Sequence, residues 1–251
     1  MEQDEKAPRP RKRPSISPLA VIIMTLVYLL IGVWVGRTWT RLTWKTTPTK
    51  TDPVQAYLAW YYAHQKTTFE NTYWRGVPID KCPLDSWVYQ EIIYETKPDV
   101  LVETGTFKGG SAFYFATIFE TLQRGRVLTV DIVKVPDRPQ NPRITYLLGS
   151  STSDAVIQTI KNSIRPGEKV MVSLDSDHHK AHVLKELELY SPLVTVGNYL
   201  VVEDTVPDIN YPAAKEALEE FLRTTTDFVP DKSREKFGFT VFPGGWLKRV
   251  R

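Results

Sequence analysis

Only one cysteine, Cys82, occurs in the 251 residues, which excludes an internal disulfide framework and a cysteine zinc cluster. Cys82 itself reads as a small, partly buried apolar side chain rather than a reactive thiol. The net charge is only +3, too little for the basic face of a nucleic-acid-binding domain, so no nucleic acid is expected as partner. No internal repeat is visible, which argues against a solenoid or propeller. Neither G-x-G-x-x-G nor a Walker loop occurs, so a nicotinamide-dependent oxidoreductase and a P-loop enzyme both lack their fingerprints. No 2-His-1-carboxylate spacing points to an iron oxygenase.

What is present begins with a polar, proline-rich tail over residues 1–17 that carries Lys6, Arg9, Arg11, Lys12 and Arg13 and reads as disordered. Residues 18–36 then contain no charge. At about 1.5 Å per residue this run matches the hydrocarbon core of a bilayer. Trp34, Trp39 and Trp44 stand at or beyond one end, as in an interfacial belt. The run is long for a signal peptide and no small-x-small cleavage site follows, so a retained single-pass anchor is the reading. Five Lys/Arg precede it and Arg37, Arg41, Lys45 and Lys50 follow, which leaves the side of the membrane open. Residues 37–53 read as a linker and 54–251 as the catalytic domain.

Within that domain, residues 54–69 read as an aromatic-rich packing helix, 74–78 as a turn-rich loop and 84–96 as a helix. Strand and helix signals then alternate. Strands are expected at 100–103, 126–131, 144–148, 169–174 and 199–202, and helices at 109–122, 152–163, 180–190 and 213–222. The segments 239–242 and 244–249 suggest a terminal hairpin. Repeated βα units give an α/β fold, a mostly parallel sheet with helices on both faces. Ligands of such sheets bind beyond the carboxyl ends of the strands.

Three groups of residues fall at those ends. Glu103-Thr-Gly-Thr-Phe-Lys-Gly-Gly-Ser111 joins a strand to a helix through a glycine turn that lets backbone approach a ligand. Its acid suits the cationic amino-acid end of a ligand. Asp131 ends the next strand, 26 positions after Gly105, where a carboxylate can accept both hydroxyls of a ribose. Gly149-Ser150-Ser151 follows the third strand and is placed to border an adenine. The third group is acidic: Asp175-Ser-Asp-His178 ends one strand and Glu203-Asp204 the next, 28 positions later. Carboxylates brought so close repel one another unless a cation relieves them, and oxygen ligands suit Mg²⁺ or Ca²⁺. His178 lies on the same loop, where a neutral imidazole could take a proton from an acidified hydroxyl. His179 and His182 read as helix-surface groups.

At these residues the chain resembles the cephalosporin hydroxylase and rhamnosyl O-methyltransferase family. The resemblance rests on Glu103-Thr-Gly-Thr-x-x-Gly-Gly-Ser111, Leu174-Asp-Ser-Asp-His178, His182-Val-Leu-x-Glu-Leu187 and Val202-Glu-Asp-Thr205. Trp74-Arg-Gly-Val-Pro78 and the Gly-Gly-x-Leu-x-Arg that ends at Arg249 also fit it. It implies a Rossmann-like class I methyltransferase fold that binds S-adenosylmethionine and a divalent cation, usually Mg²⁺. Carried over by position, it implies Asp175, Glu203 and Asp204 as metal ligands, with Asp177 the alternative to Asp175, and His178 as general base. Glu103 and Gly105 would face the methionine part and Asp131 the ribose, and Thr106, Gly109, Gly110, Ser111 and Ser150 are also expected to bind the cofactor. The expected activity is methyl transfer to a hydroxyl of a sugar or glycan-like acceptor. A hydroxylase-like enzyme and a catalytically silent, membrane-tethered binding protein of the same fold are the alternatives. The acceptor, and whether the chain forms a homo-oligomer, are left open.

Overall fold

The structure, a computed structural model, describes residues 52–206 and 213–251, with Val27 alone from the segment before them. The expected tail, membrane anchor and linker fall outside the described residues up to position 51. Among the described residues no helix is long and apolar enough to cross a membrane.

The chain opens with α1 (Pro53–Ala63), then a two-stranded hairpin of β1 (Tyr73–Trp74) and β2 (Val77–Pro78), then α2 (Pro83–Thr96). There follow β3 (Val100–Thr104), α3 (Gly110–Thr121), β4 (Arg126–Asp131), β5 (Ile144–Leu148), α4 (Asp154–Ser163), β6 (Val170–Leu174), α5 (Lys180–Tyr190) and β7 (Tyr199–Val202). Helix α6 (Ala213–Thr224) and strands β8 (Phe228–Pro230) and β9 (Trp246–Arg249) complete the order. Seven of these strands form one sheet in the order β5-β4-β3-β6-β7-β9-β8. The first five run parallel, and β9 lies antiparallel between β7 and β8.

Strands that are apolar throughout bury both faces, and alternation then divides their side chains between two cores. Leu101, Val127, Met171, Tyr199, Val201 and Trp246 face the side packed by α1, α2 and α3. Val102, Leu128, Val172, Leu200, Val202 and Leu247 face the side packed by α4, α5 and α6. Helix α2 stops where Lys97 turns left-handed, its N–H returning to the Ile93 carbonyl, and Pro98 follows. Cys82 precedes α2 and is buried; burial pushes its thiol up to about 12, so it is a packing group.

Three expectations are corrected. The helix expected over 54–69 ends at Ala63; Leu58 and Tyr61 are its buried positions, and Tyr61 packs on Phe239 with ring centroids 5.4 Å apart. The loop at 74–78 is part of the β1–β2 hairpin, and the Pro78 carbonyl is pressed so close to Gly110 that a Cβ there would stand 1.9 Å from it. The terminal hairpin pairs β9 with β8, and 239–242 is not a strand. The Val241 N–H goes instead to the Asp85 side chain at 2.9 Å, while Phe239, Val241 and Phe242 fill the core beside α2.

Candidate active site

The parallel strands β3, β4, β6 and β7 end on one rim, and a cavity of about 920 Å³ opens there. Gly105, Asp131, Ser150, Asp175, His178 and Asp204 all line it. A second groove, about 610 Å³, lies between α2, α3 and the β1–β2 hairpin, but contains none of Asp131, Asp175 and Asp204.

The glycine turn and the acidic loop touch. Gly105 has φ +85°, and a Cβ on it would stand 1.8 Å from the Asp175 carbonyl oxygen, so no larger residue fits. The Asp175 N–H donates to both the carbonyl and the hydroxyl of Thr104 at 3.2 Å, locking the end of β6 to the end of β3. On the neighbouring strand the Glu203 N–H donates to the Leu174 carbonyl at 3.0 Å, and Asp204 then turns left-handed with φ +54°. That turn carries the Asp204 carboxylate to the imidazole of His178. The His178 Nε2 lies 3.2 Å from Asp204 Oδ2 and 3.8 Å from Asp175 Oδ1.

One ligand atom from each of Asp175, His178 and Asp204 lies within 4.8 Å of the others. Burial raises the carboxyl pKa of Asp175 and Asp204 above the ordinary range. For Asp175 the Lys81 ammonium opposes that rise and the Asp204 charge adds to it. For Asp204 His178 opposes it and Glu203 adds to it. Two hard oxygen donors held against their own repulsion fit a divalent cation.

The structure does not bring Glu203 into this group. Glu203 is 3% exposed; its Oε2 accepts from Lys81 Nζ at 2.5 Å, and its Oε1 accepts from the hydroxyls of Tyr89 and Ser173 at 2.7 and 2.8 Å. The same Lys81 donates to Asp175 Oδ2 at 2.5 Å. Burial alone would lower the Lys81 pKa, but Asp175, Glu203 and Glu103 outweigh it and raise it. Asp177 also turns away: its Oδ1 accepts from the backbone N–H of His179 at 2.9 Å and lies 2.5 Å from that residue's ring Nδ1.

The other expected ligand contacts divide. Asp131 sits at the cavity with its carboxylate fixed by the N–H groups of Phe107 and Val133 at 2.7 and 2.8 Å. Arg138, which the sequence reading missed, donates to Asp131 at 3.3 Å and to the Phe107 and Val133 carbonyls at 2.8 and 2.9 Å, and so clamps both loops. Glu103, Thr106, Gly109, Gly110 and Ser111 are buried and do not line this cavity. Glu103 is fully buried; Oε2 accepts from Thr129 at 2.6 Å and Oε1 has no hydrogen-bond partner. Burial pushes its carboxyl up to about 7, against the pull of Lys81. His182 is not a helix-surface group: its Nε2 lies 3.0 Å from the Ser151 hydroxyl and 3.2 Å from that of Ser176, in the cavity wall.

Comparison with known proteins agrees with this geometry. Residues 66–250 match the family model described as rhamnosyl O-methyltransferase/CmcI. The chain is 39% identical over 211 residues to the rhamnosyl O-methyltransferase of Mycobacterium tuberculosis, covering 78% of this chain and 84% of that one. The protein of that name from Mycobacterium leprae is 38% identical over 216 residues, 79% of this chain and 92% of its own. Among solved structures, apo CmcI superposes with a TM-score of 0.59 at 22% identity, covering 82% of this chain and 88% of the other. CmcI with Mg and SAM gives 0.57 at the same identity and coverage. At that identity the structural likeness shows the fold, which is the Rossmann-like class I methyltransferase fold with a mixed central sheet. The chain belongs to the rhamnosyl O-methyltransferase/CmcI family, and it is an S-adenosylmethionine-dependent O-methyltransferase.

Proposed function

We propose that the protein methylates a hydroxyl of a sugar or glycan-like acceptor, with a divalent cation, Mg²⁺, held by Asp175 and Asp204. The observation that carries this reading is the convergence of Asp175, His178 and Asp204 beside the Gly105 turn. Mg²⁺ keeps several of its waters and commonly takes only one or two protein carboxylates, which is what this rim offers. The CmcI structure with Mg and SAM and the rhamnosyl name of the relatives lend the reading its cation and its sugar.

S-adenosylmethionine supplies an electrophilic methyl group on a sulfonium, and the divalent ion supplies positive charge that eases ionisation of the acceptor hydroxyl. The chain's own residues do the rest. Asp131 offers lone pairs to the ribose hydroxyls, and the exposed side chains of Phe107 and Ile132 give flat apolar walls beside it. Ser150 borders the adenine. His178 takes the acceptor proton as the S–C bond breaks and the O–C bond forms, and the Asp204 carboxylate, 3.2 Å from Nε2, stabilises the imidazolium that results. Much of the acceleration comes from alignment of donor and acceptor in the cavity.

We read residues 18–36 as a membrane anchor that would keep the domain beside its acceptor; carbonate extraction of membranes, with release of the chain as the contrary result, tests this part alone. Labelled methyl transfer from S-adenosylmethionine to a rhamnosyl glycoside, with and without Mg²⁺, tests the activity. No binding heat with the methyl donor, in either condition, would remove the reading.

A further inference from the structure

The acid expected to receive the amino-acid end of the methyl donor is not in the donor cavity: Glu103 is fully buried and does not line it. A different ion pair does. Asp80, between β2 and α2, and Lys108, in the glycine turn after β3, both line the cavity, with Lys108 Nζ 3.6 Å from Asp80 Oδ2. That is beyond hydrogen-bond length, so the two charges attract without saturating each other. Asp80 Oδ1 is buried and, among the described residues, has no hydrogen-bond partner. A buried carboxylate oxygen left in that state costs stability until a donor reaches it. Asp80 also holds a left-handed backbone, φ +49°, a conformation that gathers at ligand sites. Burial raises its carboxyl pKa, Lys108 opposes the rise, and Glu70 on the same cavity wall adds to it.

Lys108 is placed for the opposite charge. Its Nζ lies 4.7 Å from the centre of the exposed Phe107 ring, and the Phe107 N–H holds Asp131. The turn that would serve the ribose therefore presents, one residue on, a cation to the same cavity.

We propose, on the basis of the methyl-transfer reading, that Asp80 and Lys108 clamp the amino-acid end of S-adenosylmethionine: Asp80 accepts from its α-ammonium and Lys108 donates to its α-carboxylate. One group of each sign on the protein meets one of each sign on a single carbon of the ligand, so the pair is complementary to a zwitterion. Asp80 takes the role that the sequence suggested for Glu103.

Titration calorimetry on the full chain with three thioethers tests this without turnover. S-adenosylhomocysteine carries both charged groups, S-adenosyl-3-thiopropylamine only the ammonium, and 5′-methylthioadenosine neither. Asp80→Asn should weaken the first two by about tenfold or more and leave the third within about twofold of the wild type. Lys108→Met should weaken only the first, by about threefold or more, because water partly screens a half-exposed ammonium. Equal weakening of all three ligands would make the pair a support of the cavity, and unchanged affinity for all three would assign it to the acceptor; either result overturns the clamp. Should D80N fail to fold, K108M against the same ligands decides, since its side chain is half-exposed. If the wild type binds none of the three, the methyl-transfer reading falls and takes the clamp with it. If it binds 5′-methylthioadenosine as tightly as S-adenosylhomocysteine, only the clamp falls.

Discussion

The imidazole of His178 stands 3.2 Å from the carboxylate of Asp204, although the two residues leave different strands of the sheet. The pairing of β6 with β7 makes the contact, and the left-handed turn at Asp204 aims it. On the proposed reading, a base so placed acts on the proton of the acceptor and not on the donor. His178→Asn is therefore expected to lower kcat by about 10²–10⁴-fold with donor affinity unchanged by calorimetry. Turnover at the wild-type rate would take the proton-acceptor role away from this residue.

Arg138 holds the Asp131 carboxylate, proposed to bind the ribose, from behind. Its guanidinium reaches Asp131 and the carbonyls of Phe107 and Val133, so its loss frees two loops together. A hydrogen bond to a charged group is worth about 1.5–3 kcal/mol. Arg138→Leu should weaken S-adenosylmethionine binding by about tenfold or more, read by titration calorimetry, with Mn²⁺ binding little changed. Equal losses of both ligands would show that the domain, and not the donor pocket, had been disturbed.

Two glycines with the same backbone angle separate crowding from strain. Gly105 and Gly167 both have φ +85°, but a Cβ on Gly105 would stand 1.8 Å from the Asp175 carbonyl, whereas nothing lies within 4 Å of one on Gly167. Gly167→Ala costs about 1 kcal/mol of backbone strain. Gly105→Ala must also drive β3 from β6 and should cost several-fold more, with loss of Mn²⁺ binding. Urea unfolding of the two variants measures the difference, and equal midpoints would contradict the tight approach of the two loops.

Asp85 makes stability depend on pH. It is 1% exposed, and burial pushes its carboxyl up to about 7 although the Thr240 side chain and the Val241 N–H bond to it. A raised carboxyl keeps its proton in the folded chain and loses it in the unfolded one. Its contribution is thus fully present below about pH 4 and is lost as the pH rises through about 7. Asp85→Asn should gain on the wild type by about 1–3 kcal/mol between pH 4 and pH 8, followed by urea unfolding at the two values. A pH-independent difference would mean that this carboxyl ionises in the same range in both states.

Five parallel strands and the helices between them are legible in the sequence because each strand is a short apolar run closed by a polar or glycine turn, and each element is local. Val170-Met-Val-Ser-Leu174 can be little else between two helices. The same signal misleads at Phe239–Phe242. Its apolar residues mark burial, but its backbone is bound by Asp85, 156 positions earlier, and that bond has no local trace. Lys81 is hidden for the same reason. It is one lysine in a proline-flanked turn, and its partners lie 94 and 122 positions downstream. Asp175, His178 and Asp204 are legible as neighbours because strand order follows from the βα rhythm. What Glu203 does there is not, because it depends on a lysine that arrives from outside that rhythm.

Strand β9 covers the edge of β7, with Tyr199 opposite Lys248 and Val201 opposite Trp246, and the Val202 N–H donates to the Gly245 carbonyl at 3.0 Å. A nascent chain therefore reaches the ribosome exit with its donor pocket encoded but with the bearer of Glu203 and Asp204 bare on one flank until residues 246–249 emerge. A premature stop between Asp204 and Trp246 would leave a protein able to assemble β3, β4 and β5 yet carrying an open strand edge where its acidic rim should be anchored.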